Sequence, residues 1–138
     1  MGLRRKSREL ALQFLYGQDL QKDFCAQDVL AEKLDAFCAS FQADSKSMPY
    51  ARQLISGICA HWQEIDNALA DCSHNWRLER MAAVDRNILR IAAYEMLHEE
   101  DVPPTVAINE ALEIAKRYAE LEAVSFINGI LDGMKDRS

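Results

Sequence analysis

The chain has 138 residues, 49% hydrophobic and 28% charged, which bounds it to one domain able to bury a sizeable core without staples. Only five Gly and three Pro, with no strand-like alternation of any length, exclude a β-rich fold and leave an all-α protein. The net charge of −6 disfavours nucleic acid, but its distribution reverses that impression: Arg4, Arg5, Lys6 and Arg8 open the chain with no acid among them, and the other 12 basic residues are set among 22 acidic ones.

The spacing of Leu10, Ala11, Phe14 and Leu15 predicts a first helix from about Leu3 to Leu20. Arg4, Arg5 and Arg8 then cluster on one side of its first two turns. Cations at a helix start oppose the macrodipole, so four of them suggest an anionic ligand that offsets the cost. The plainer reading is a solvated helix start. Tyr16 could stack on a base or, more simply, close the edge of the core.

A second helix is expected over Asp28–Phe41, where Leu30, Leu34, Phe37 and Phe41 step by four, three and four. The polar stretch QADSKSMP is a loop, with Ser47 as a cap and Pro49 suited to a first turn. A long third helix should follow over Pro49–Cys72. Ala51, Ile55, Ile58, Trp62, Ile65 and Leu69 form its seam, and Gly57 allows close helix approach.

Periodicity fails between Ser73 and Arg80, which reads as a linker. It divides a single domain over 1–138 into an N-terminal subdomain of about 1–73 and a C-terminal one of about 80–138. Val84–Leu97 is apolar on almost every face, through Val84, Ile88, Leu89, Ile91, Ala92, Ala93, Met96 and Leu97. Such a helix lies inside a bundle, and its charges rule out a membrane span. Val102 and Pro103 end it, and Pro104 or Thr105 starts the next helix, with Ile108, Ala111, Leu112, Ala115 and Ala119 on its stripe. A last helix is expected from about Ala123 to Met134, where Gly129 marks a close backbone approach.

No catalytic constellation emerges. The histidines, His61, His74 and His98, stand far apart in sequence, and none falls in a metal motif. The cysteines, Cys25, Cys38, Cys59 and Cys72, lack zinc-ligand spacing and read as reduced thiols acting as small apolar residues. Asp85 suits a helix start, or serves as an exposed acid that meets a basic partner. The expectation is therefore a protein with no metal, no cofactor and no catalytic residues. The segment ELALQFLYGQ is interrupted by Glu9 and Gln13 and lacks a secretory pattern, so a cytoplasmic location is expected.

The series RRKSRELALQFLY, VDRNILRIAAYEML, DVPPTVAINEALEIAKRYA and SFINGILD, in this order and spacing, resembles the NusB family of bacterial transcription antitermination factors. The resemblance covers nearly the whole chain and is weakest over Lys22–Met48. It implies a compact bundle of about six to seven helices in two roughly perpendicular three-helix subdomains. It also implies binding of boxA RNA in ribosomal RNA leaders, together with the small-subunit ribosomal protein NusE, in a complex that lets RNA polymerase read through terminators. A homodimer is a further state, since some relatives dimerise and hide the RNA surface. Similar domains precede certain ribosomal-RNA methyltransferases, but the chain ends at Ser138 and no such domain is expected.

Carried over residue by residue, the family's basic start falls on Arg4, Arg5, Lys6 and Arg8, and its second RNA-contacting region on Glu122, Ser125 and Phe126. Tyr16 and Asp85 fall on the partner-facing or RNA-adjacent surface. Relatives often carry a basic residue where Ser125 stands, and a smaller acid or a neutral residue near Glu122. That weakens any phosphate contact at Ser125. An alternative reading is a helical protein–protein module without RNA affinity of its own, which would not need the Arg4–Arg8 cluster.

Overall fold

A computed structural model describes residues 2–20, 29–40, 46–73 and 77–137. Among these residues the protein is all-α: α1 (Leu3–Leu20), α2 (Leu30–Ser40), α3 (Met48–Ala60), α4 (Trp62–Cys72), α5 (Ala83–His98), α6 (Pro104–Tyr118) and α7 (Leu121–Arg137), with a 3-10 turn at Leu78–Arg80 before α5. The helix limits expected at Asp28 and Phe41, the Cys25 thiol, and His74 within the expected linker lie outside the described residues. The chain divides into two compact units, Met1–Ala60 and His61–Ser138.

In the first unit α1 packs on α3. Ala11, Leu12, Phe14 and Leu15 of α1 are buried, as are Ala51, Leu54, Ile55 and Ile58 of α3. α2 adds the buried Leu30 and Leu34 and sets Phe37 edge-on to Phe14, ring centroids 5.4 Å apart at 83°. Arg52 of α3 donates to Asp35 of α2 at 2.8 Å. Ser7 Oγ lies 2.6 Å from the Ser47 carbonyl oxygen, so the buried Ser7 ties the start of α1 to the residue before α3.

In the second unit α5 is the helix the others cover, packed by α4, α6 and α7. Every residue from Asn87 to Glu95 is buried, as an all-round apolar helix requires. The buried apolar residues of these helices include Ile65 and Leu69 of α4, Ile108, Ala111 and Ala115 of α6, and Ile127, Ile130 and Leu131 of α7. Pro104 opens α6 at a position where its missing N–H costs nothing. Arg86 Nη1 donates to the Leu78 and Met81 carbonyls, fastening the 3-10 turn to the start of α5.

Two expectations about helix continuity are corrected. The helix expected over Pro49–Cys72 is two helices, because His61 leaves helical geometry at φ −117° and ψ 25°. Gly129 is exposed, and a Cβ there would meet nothing within 4 Å, so it marks no close approach. Gly133 does face a neighbour: an added Cβ would lie 3.6 Å from Cys72 Cβ.

Candidate nucleic-acid interface

The basic start of α1 carries no acid in its first turn, so its cations stand at the positive end of the helix dipole. Arg4 and Arg8 stand one turn apart and share a face. Both lie over the ring of Tyr50 on α3, with guanidinium carbons 4.4 Å and 5.9 Å from its centroid. Arg4 and Lys6 are exposed and Arg5 half-buried, while Arg8 is only 4% exposed. Of the four cations expected to meet an anionic ligand, Arg4 and Lys6 are thus exposed, Arg5 is partly so, and Arg8 is a buried anchor. Tyr50 was not legible as part of it, since nothing in the spacing of positions 4, 8 and 50 links them. Tyr16, further along α1, is 39% exposed.

On the second unit Glu122, Ser125 and Phe126 fall at i, i+3 and i+4 of α7 and share one face. Glu122 and Ser125 are exposed, and Phe126 is half-buried. Beside them in sequence the chain exposes two large apolar groups, Tyr118 at 43% and Leu121 at 84%. Arg117 lies over the Tyr118 ring, 5.5 Å from its centroid. An arginine on an exposed aromatic is the pairing that stacks unpaired bases. Tyr118 and Leu121 were absent from the expected site, although two large apolar residues bracketing a helix break are a signal for it.

Of the two readings of Asp85, the structure agrees with the helix-start charge rather than the exposed acid. It is 8% exposed, in the first turn of α5. Burial raises its pKa above the ordinary aspartate value, and the negative charge of Glu120 raises it further. The histidines are likewise closer than the sequence suggested: His61 and His98 stack with ring centroids 4.0 Å apart, and Glu64 lies against both. Of the expected thiols among the described residues, Cys38 and Cys72 are free.

Residues 5–136 match the family model described as the NusB family. The chain is 47% identical over 136 residues to the transcription antitermination protein NusB of Desulfosudis oleivorans, covering 96% of this chain and 84% of that protein. The chain belongs to the NusB family. A second NusB, from Trichlorobacter lovleyi, is 44% identical over 135 residues, covering 98% of this chain and 92% of the relative. Among solved structures, T. maritima NusB superposes with a TM-score of 0.80 at 38% identity, covering 96% of this chain and 90% of that one. A crystal structure of the antitermination factors NusB and NusE in complex with dsRNA shares the fold, with a TM-score of 0.83 at 23% identity over 100% of this chain and 99% of that one. No helix among the described residues is long and apolar enough to cross a membrane.

Proposed function

We propose that this chain is an RNA-binding transcription antitermination factor. It binds boxA of ribosomal RNA leaders together with ribosomal protein NusE and helps RNA polymerase read through terminators. It works in the cytoplasm and is not an enzyme. The observation that carries this reading is the 47% identity, over 96% of the chain, to a protein named for transcription antitermination. The chemistry of the surface supports it. Arg4, Arg5 and Lys6 offer cations to phosphate, with Arg8 held beneath them against Tyr50. Phosphate contacts of this kind supply affinity rather than sequence choice. Phe126, with Glu122 and Ser125 on its face and Tyr118 nearby in sequence, supplies the base-reading side. Tyr16 carries the contact to the protein partner, since the burial of Asp85 leaves that acid little surface to offer.

The test is a salt titration of boxA RNA binding with NusE present, for the wild type and for Arg4→Ala/Lys6→Ala. Each phosphate of a single strand that the protein no longer neutralises flattens the log–log salt slope by about 0.7, so the slope of the double variant should be shallower by about 1.4. An unchanged slope with unchanged affinity would place the RNA surface elsewhere and favour a protein–protein module.

A further inference from the structure

His61, Glu64 and His98 bring three metal-ligating side chains to one point of the second unit, with ligand atoms all within 4.8 Å of one another. His61 immediately precedes α4, Glu64 lies one turn on, and His98 is the last residue of α5. His98 Nε2 is 2.7 Å from Glu64 Oε1, and His61 Nδ1 is 3.3 Å from the same oxygen. Tyr94 stacks against His98 from one turn earlier in α5, ring centroids 5.4 Å apart, and restrains that ring.

From this convergence we infer that His61, Glu64 and His98 form a binding site for a divalent zinc ion, joining the start of α4 to the end of α5. Two imidazoles and a carboxylate are a donor set that zinc favours, with water completing a tetrahedron. Zinc bonds of about 2.0–2.1 Å set ligand atoms of a tetrahedral site about 3.3 Å apart. The His61–Glu64 separation of 3.3 Å already matches that spacing, the 2.7 Å His98–Glu64 contact must open, and the stacked rings of His61 and His98, centroids 4.0 Å apart at 23°, must turn so that both nitrogens aim at one ion. Without metal, one ring nitrogen of each histidine faces the same Glu64 oxygen. Zinc binds each imidazole through an unprotonated nitrogen, so the ring's remaining proton sits on its other nitrogen and only an imidazolium releases one to solvent. The side chains are 45%, 53% and 26% exposed, in that order, so the ion has an open approach. As an ion pair alone, so exposed a carboxylate contributes little.

The site uses none of the residues assigned to RNA or to the protein partner, so its test stands apart from the antitermination reading. Zinc is titrated calorimetrically into the full chain, free of any histidine tag. The variants are His61→Ala, His98→Ala and Cys38→Ser/Cys72→Ser, each checked for helical content by circular dichroism. One-to-one binding is expected, weakened at least about tenfold in either histidine variant and retained in the thiol variant. Cobalt, a coloured stand-in, should give the intense visible absorption of a tetrahedral ion in the wild type and lose it in His98→Ala. No saturable zinc binding, binding unchanged in both histidine variants, or loss confined to the thiol variant would each overturn the inference.

Discussion

Arg90 of α5 and Asp66 of α4 form a two-pronged ion pair, Nε to Oδ1 and Nη2 to Oδ2, each 2.9 Å. The Arg90 side chain is only 5% exposed and that of Asp66 20%. Asn87 Oδ1 accepts from the remaining guanidinium nitrogen at 3.0 Å, and the Trp62 ring lies 4.0 Å from the guanidinium carbon. A charge on the central helix is thus neutralised, hydrogen-bonded and stacked by its neighbours. This is the condition under which a charge tolerates burial.

Removing Asp66 strands that charge. Asp66→Ala should destabilise the protein by about 3 kcal/mol, the lower end for a broken buried pair because Asp66 keeps some contact with water. Replacing both partners, as Asp66→Leu/Arg90→Met, should cost less than the single change. Urea denaturation checks the order, and a single variant within about 0.5 kcal/mol of wild type would show that the pair does not hold α4 to α5.

The basic start separates into two kinds of residue. Arg8→Ala should lower stability by about 1–3 kcal/mol, because it removes a buried stem and a cation beside Tyr50. Lys6→Ala should leave stability within about 0.5 kcal/mol while weakening RNA binding. Thermal melts of the two variants, set beside RNA affinity, distinguish them. Equal melting temperatures would mean that Arg8 is as dispensable to the fold as Lys6.

Asp85 gives a pH dependence. Its folded-state pKa is raised by burial and then by Glu120, so ionisation costs the folded state more than the unfolded one. Wild type therefore loses stability through this group as pH rises from the ordinary aspartate value through the raised one. Asp85→Asn removes that loss. Its stability relative to wild type should climb as pH rises above the ordinary aspartate value of about 4. A difference that stays flat above that value in urea melts would refute the assignment.

Gly129 sits in mid-helix with open space where a side chain would be. Gly129→Ala should stabilise the chain by about 0.5–1 kcal/mol, since it lowers backbone entropy in the unfolded state without meeting a neighbour. A loss of stability in the same melts would show that the site is crowded after all.

The helices were largely legible because apolar period and proline placement act locally. α1 begins and ends where the stripe from Leu10 to Leu15 and the flanking residues put it, and Pro104 marks the start of α6. The break at His61 was not legible. The seam from Ile58 through Trp62 to Ile65 runs across it in unbroken period, and no Pro or Gly announces it. Burial of charge was illegible for a related reason. Arg8, Asp85, Arg90 and Glu95 are ordinary helix residues by spacing, and only their tertiary neighbours decide that they are buried. His61 and His98 escaped notice as a pair because spacing cannot reveal which helix ends meet.

The uninterrupted burial of α5 has a bearing on how the second unit comes apart. α4, α6 and α7 each cover part of the same helix, so peeling any one away uncovers apolar surface that the other two cannot hide. Amide protons from Asn87 to Glu95 then have no route to solvent through a small local opening. They should exchange together, at a free energy equal to that of global unfolding. The unit behaves as one cooperative block whose slowest-exchanging protons all lie on a single helix.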